Sequence, residues 1–362
     1  MNNKKLVIAL MAIVVIGISG TYFLKGSNTT TENEAGEVIN IGAILSLTSY
    51  GASDGESIKN GLELARKDLI KKDIIVNIDY FDDGTDPKQV VSGVQYMKSK
   101  NIDIVFGPIW SYLGDAALAV VGGSNITLLA PSLTSEVVQQ DSSQIVFGQA
   151  KNAEKLPATT AWMQENNIKK PAIIVNQIAW GSVHATMFTE AVKNAGGVGV
   201  LNEEIGFGKE KETLPALIVK AKSLGADAIL WAGSNDGEVI IVSEMQKLGM
   251  KVPLFADEGV MTAFNSGLIS RDITVPVYTW NKAMHPEFVA KFKAEYNKEP
   301  DHYADAAYDM VIAAAKTVSK NGTGNLKTNL NSLNYTGYAG TYQFDEKGDI
   351  KGGEWRVVKV TK

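Results

Sequence analysis

From residue 38 onward, short apolar runs alternate with longer amphipathic stretches. "VINIGAIL" (38–45), "IIVNIDYF" (74–81), "IDIVFG" (102–107) and "ITLLAPS" (126–132) read as strands, being apolar and bounded by turn residues. Between the first two, residues 55–72 set Ile58, Leu62, Ala65 and Leu69 on one stripe, the spacing of a helix that buries one face. Asp86-Pro87 opens the next helix, to Lys100, with an N-cap acid and a proline at the first helical position. A third helix follows Ser111.

A second series begins near residue 150. The pattern predicts helices over 153–167, 181–195, 213–224 and 236–248, and strands over 171–176, 198–205, 227–233 and 253–256. A strand at 275–280, helices at 286–297 and 302–320, and hairpin-like strands over 338–349 and 354–360 complete the chain. Such alternation predicts an α/β fold, with parallel sheets covered by helices on both faces. "KSKNIDIVFG" (98–107) and "KSLGADAILWAG" (222–233) share a helix end, an Asp and a buried-type strand closing on Gly. That echo implies two lobes of similar architecture.

The N-terminus changes the picture of where the chain works. Lys4 and Lys5 precede an unbroken apolar or small run over 6–24, then Lys25 and the polar "GSNTTTENEAGE" (26–37). Positive residues before an apolar run mark export with the N-terminus left in the cytoplasm. A membrane-crossing helix needs roughly 17–25 residues, and this run is long for a removable signal, so 1–25 reads as a signal or membrane anchor and 26–37 as a linker. An extracytoplasmic location, tethered through this segment, is the expectation.

Composition narrows the classes. The formal net charge is −5, so nothing points to a nucleic-acid partner. There is no Cys, which removes disulfides, thiol nucleophiles and thiolate metal sites. His184, His285 and His302 fall on separate helical segments, and the serine-hydrolase, phosphate-loop and zinc-helix motifs are missing. "DDGTDP" and "DEKGD" lack the spacing of calcium loops and read as turns. No catalytic residue, cofactor or metal is expected.

In open parallel sheets, ligands sit beyond the carboxyl ends of strands. The residues at those corners here are polar and aromatic. Ser111 begins a helix, where a hydroxyl and free N–H groups suit a carboxylate, and Ser132 and Thr134 add a second hydroxyl-and-amide corner. Glu258 can receive a cation, while Tyr50, Trp110 and Trp180 offer aromatic faces. Taken singly, Ser111 and Thr134 are ordinary helix caps, and the tryptophans ordinary packing. Together they describe a receptor for a free amino acid.

These corners occur in a familiar order. "INIGAILSLTSYGASDGESIKNGLELARKD", "YFDDGTDPKQVVSGVQYM", "IDIVFGPIWS", "LLAPSLTS", "LFADEGV" and "YQFDEKGDIKG" resemble, in sequence, the extracytoplasmic branched-chain amino acid (Leu/Ile/Val) binding proteins of ABC transporters, over 38–362. The resemblance implies a type I periplasmic binding protein: two doubly wound, Rossmann-like lobes joined by a three-strand hinge, with the ligand in the cleft. It implies a first lobe of 38–150 plus 280–340 and a second of 151–279 plus 341–362. It also implies a small-molecule amino acid ligand, branched-chain or otherwise apolar, and an ABC transporter permease as partner. By position, Ser111 and Thr134 would hold the carboxylate, with the backbone at Ser132, and Glu258 the ammonium, with Trp180 as an aromatic wall. Asp54 stands where many members carry an aromatic residue, so that either Tyr50 supplies that wall or the pocket admits a more polar side chain, and bulky Trp110 would narrow the pocket. Other readings are an anchored sensory domain, a receptor for an amide, urea or aromatic acid, and a hydrolase using Asp82 or Asp257 with a metal.

Overall fold

Strands β1 (Val38–Leu45), β2 (Ile75–Asp82), β3 (Ile104–Phe106), β4 (Thr127–Ala130) and β5 (Ile145–Phe147) form a sheet in the order β2-β1-β3-β4-β5. All its pairings are parallel. A second sheet holds β6 (Ala172–Asn176), β7 (Leu201–Ile205), β8 (Ile229–Ala232), β9 (Leu254–Ala256), β10 (Ile273–Tyr278) and β14 (Trp355–Val360), in the order β14-β10-β9-β8-β6-β7. The chain is seen here in a computed structural model, which describes residues 38–141, 143–256, 260, 267–269, 272–278, 285–301, 303–351 and 355–361. Reading β6 for β1 and β7 for β2, the two sheets have one topology. The echoing segments 98–107 and 222–233 lead into β3 and β8, which occupy the same place in each.

Strands covered on both faces are buried along their whole length. Every residue of β3, β4, β5, β6, β8 and β9 is buried. Helix α1 (Ala52–Ile70) buries the stripe Ile58, Leu62, Ala65 and Leu69. Each of the Ile and Leu side chains withdrawn from water contributes about 1.5–3 kcal/mol before entropy is counted. Helix α2 (Pro87–Ser99) starts as the sequence predicts, Asp86 accepting the backbone N–H of Lys88 at 2.8 Å with proline in the first turn.

The remaining helices are α3 (Ser111–Val121), α4 (Leu156–Glu165), α5 (Ala179–Asn194), α6 (Glu210–Ser223), α7 (Asn235–Lys247), α8 (Pro286–Tyr296), α9 (Ala304–Asn321) and α10 (Leu326–Asn331). Helix α9 packs against α1, so the chain returns to the first sheet after β10.

Two elements differ from the sequence reading. Strand β5 is only three residues long, too short to register as a periodic run. The C-terminal hairpin forms only in part. Strands β12 (Thr341–Phe344) and β13 (Ile350–Lys351) pair with each other, beside β11 (Tyr335–Thr336), but β14 leaves them and pairs antiparallel with β10, Ile273 opposite Val360. Burial decides this. Val358 and Val360 pack on the second sheet's core, while Tyr342 and Ile350 belong to the first, so residues 341–351, assigned to the second lobe from the sequence, sit with the first. The chain therefore passes between lobes after β5, after β10 and after β13. Among the described residues no helix is long and apolar enough to cross a membrane, and the 6–24 run lies outside them.

Candidate ligand-binding site

Strand β3 leaves its sheet at Gly107, whose φ of +90° suits glycine, and where an added Cβ would stand 2.1 Å from the Ile44 carbonyl oxygen. Pro108, Ile109 and Trp110 follow, and α3 begins at Ser111. Its N-cap position is Trp110, in extended backbone, and no side chain accepts from the first turn. The leading N–H groups of α3 are thus left uncovered at the positive end of the helix dipole.

Ser111 is buried, and its hydroxyl has no partner among the described residues. Thr134 stands before the short turn Ser135–Val137 and makes no cap bond either; its Oγ1 is buried without a hydrogen-bond partner. A cap is the ordinary use of Ser and Thr at such positions. Neither residue serves as one. Ser132 does have a structural use, its hydroxyl donating to the Ile109 carbonyl at 2.7 Å and fixing the two corners together.

These corners open onto a cavity of about 510 Å³ at the carboxyl ends of both sheets. Tyr50, Trp110, Ser111, Ser132, Thr134 and Trp180 all line it. Glu258 and Asp257 lie outside the described residues. The site falls where β1 meets β3 and β6 meets β8, the points at which the strand order reverses and adjacent connections part.

The aromatic residues form a linked wall. The Trp110 indole N–H donates to Asp54 at 3.1 Å, and the Tyr50 ring lies 5.3 Å from Trp110. The Tyr50 and Tyr112 hydroxyls are 2.8 Å apart; burial first, then this bond, pushes the Tyr112 hydroxyl well above the usual phenol range. Across the cleft Tyr50 meets Phe207, 6.1 Å between centroids. Trp180 is set against His184 at 4.3 Å.

Several lining residues escaped the sequence reading. Glu210, at the start of α6, lines the cavity, and its Oε1 accepts from Asn176 Nδ2 at 2.9 Å and from the Ser234 hydroxyl at 3.0 Å. The Ser234 backbone N–H in turn donates to Asn176 Oδ1 at 2.8 Å. Strand-end reasoning applied to β7 leads to "GFGKE" (206–210) and so to Glu210. Asp82, a candidate for metal-dependent hydrolysis, is occupied otherwise. It accepts from the backbone N–H groups of Leu47, Thr48 and Gly84 and from the Thr48 hydroxyl. Burial raises its carboxyl, but those bonds outweigh it and hold the group below the ordinary range.

The loop bearing Thr134 is tied to the chain crossings. Asp349 accepts from Ser135, and Glu136 accepts from the backbone N–H of Asn152 at 2.5 Å and of Ala153 at 3.2 Å. Lys151 pairs with Asp345 at 2.9 Å and Asp349 at 3.4 Å.

Residues 38–362 match a protein-family model described as periplasmic binding protein. The chain is similar to "Leu/Ile/Val-binding protein homolog 2" of Brucella abortus (strain 2308), 24% identical over 326 residues, which cover 86% of this chain and 87% of that protein. Among solved structures it resembles the branched-chain amino acid transporter substrate binding protein LivJ from Streptococcus pneumoniae in complex with isoleucine. The TM-score is 0.76 at 20% identity, covering 90% of this chain and 100% of that one. It also resembles an ABC transporter solute binding protein from R. palustris in complex with benzoate, with TM-score 0.74 at 17% identity, covering 90% and 96%. At these identities the structural likeness shows the fold.

Proposed function

We propose that this chain, which belongs to the periplasmic binding protein family over residues 38–362, captures a free amino acid outside the cytoplasm and delivers it to an ABC transporter. One observation carries the reading: the uncovered N-terminus of α3 and the unpartnered Thr134 hydroxyl converge on one cavity. A carboxylate placed there would receive backbone N–H groups and two hydroxyls. Hydrogen bonds to a charged group contribute about 1.5–3 kcal/mol each. The curated relatives' Leu/Ile/Val-binding names and the isoleucine held by LivJ support an amino acid as the ligand.

The second lobe supplies the other pole. Glu210 and Asp236 line the cavity from that side, and Glu258 is the position the resemblance assigns to the ammonium. The ligand first meets Ser111 and Thr134 on the first lobe. Closure about the three crossings then brings Trp180 and the acids over it, and the closed form is favoured by contacts that only it can make. Expelling water strengthens each charged contact. The ligand leaves unchanged, and the transporter recognises the closed shape. The apolar run at 6–24 would export the chain and hold it at the membrane.

The aromatic walls favour one other reading, an aryl acid like the benzoate held by the R. palustris protein. A thermal-shift screen of the full chain in detergent against the proteinogenic amino acids and benzoate separates the two. A ligand at ~100 times its Kd adds about 2.7 kcal/mol to stability. An amino acid should raise Tm clearly. A shift with benzoate and with no amino acid would replace this reading by the aryl acid.

A further inference from the structure

The charges around the cavity exceed what a neutral amino acid needs. Asp54 lines it from the first lobe, and Glu210 and Asp236 from the second. Among the described lining residues there is no Lys, Arg or His. The positive end of α3 is equivalent to about half a charge, enough to settle one carboxylate of the ligand but not to offset Glu210 and Asp236 on the second lobe as well.

Glu210 is the informative member. It is only 5% exposed, and both of its donors, Asn176 and Ser234, are neutral and reach Oε1. Oε2 has no partner among the described residues. Two buried acids, Asp309 and Asp349, are finished differently, while Asp83, away from this cavity, also keeps one oxygen without a partner. Asp309 receives the N–H of Tyr338 on one oxygen and of Ala339 on the other, and Asp349 has Ser135 on both. Once a bound ligand covers it, a carboxylate with one oxygen unpaired is costly unless a cation meets it. An apolar ligand side chain closing over Glu210 would strip its water and return nothing.

Resting on the amino-acid reading above, we infer that the ligand carries a second positive charge: it is a basic amino acid, its α-carboxylate at Ser111 and Thr134 and its side-chain cation on Glu210 Oε2. Phe207, three residues before Glu210, and Tyr50 line the same cavity, so a methylene stem can lie along aromatic faces that also attract its cationic head. Asp236, exposed in the first turn of α7, adds to the negative field. This departs from a branched-chain specificity.

Calorimetric titration of the full chain with L-lysine, L-arginine and L-norleucine tests it, since norleucine keeps the stem of lysine and lacks its ammonium. Lysine or arginine should bind ~10-fold or more tighter than norleucine, the expectation for one charge-assisted hydrogen bond in a closed site. Glu210→Gln should abolish the preference for lysine over norleucine. Asp236→Asn, at an exposed position, should weaken lysine ~2-fold, an effect screened by salt. Norleucine binding as tightly as lysine and arginine, or a preference that survives in Glu210→Gln, overturns the inference while the amino-acid reading stands. Binding of none of these, nor of any other amino acid, overturns that reading itself. Should Glu210→Gln lose its fold by circular dichroism, the preference in the parent chain decides alone.

Discussion

The carboxylate of Asp349 accepts the backbone N–H of Ser135 at 2.7 Å and, through its other oxygen, the Ser135 hydroxyl. The two residues are 214 positions apart. One follows Thr134 in the proposed ligand corner and the other stands just before the third passage between lobes, so that corner is held by the chain crossings. Asp349→Ala would leave the half-buried Ser135 N–H unpaired, at a cost of about 1 kcal/mol. We expect the amino acid that binds best to lose ~10-fold in affinity by calorimetry, because Thr134 is no longer held against its carboxylate. A lower Tm with unchanged affinity would make the bond structural only.

Thr134→Val separates binding from stability. The substitution removes a buried hydroxyl that has no partner and keeps the shape of the side chain. An unsatisfied buried hydroxyl costs about 1–3 kcal/mol, so the unliganded variant should be as stable as the parent or more so in urea titration. Ligand affinity should fall ~10-fold, the loss of one hydrogen bond to a charged group. A variant that is destabilised and binds normally would remove Thr134 from the site.

Gly55 and Gly181 hold the same position in the two lobes, in the first turns of α1 and α5. An added Cβ on Gly55 would lie 1.9 Å from the Ser46 carbonyl oxygen, and one on Gly181 1.9 Å from that of Asn176. Either helix must move off its strand end to admit a methyl group. Gly55→Ala and Gly181→Ala should each cost about 3 kcal/mol in denaturant unfolding, the range of overpacked cores. Gly122→Ala, where nothing lies within 4 Å, should cost little. Equal losses at all three positions would contradict the close approach.

Asp309 gives a pH dependence of definite sign. Burial raises its carboxyl to about 7, against the N–H groups of Ala339 and Tyr338 that lower it. The folded chain thus holds this proton more tightly than the unfolded chain, whose ordinary value is 3.8. The contribution is complete below about pH 4 and is lost as pH rises to about 7, on the order of 4 kcal/mol in all. The stability difference between Asp309→Asn and the parent should therefore move in favour of the variant from pH 4 to pH 8. Parallel curves over that range would show that Asp309 does not titrate there.

The helical stripe of α1, the Asp86-Pro87 start and the polar strand-end corners were legible because each is a local matter, decided within a few residues by periodicity or capping. Six of the seven residues singled out as ligand contacts line one cavity for the same reason: in an open parallel sheet, every strand end faces the same way. The end of β7 marks Glu210 by position only, since a lone acid in a glycine-bearing loop has no local signature of a role; its meaning comes from Asn176 and Ser234, brought to it from β6 and the end of β8.

What the sequence determined by itself is the alternation of buried strand and amphipathic helix, and with it two lobes presenting hydroxyls, amides and aromatic rings at their rims. Tertiary structure alone decided that β14 closes the second sheet rather than a hairpin, that Ser111 and Thr134 cap nothing, and that Asp349 holds the Thr134 corner. The reason is physical. Backbone preference acts over a turn or two, whereas which oxygen is paired and which apolar strand is covered depend on partners that only the folded chain brings within reach.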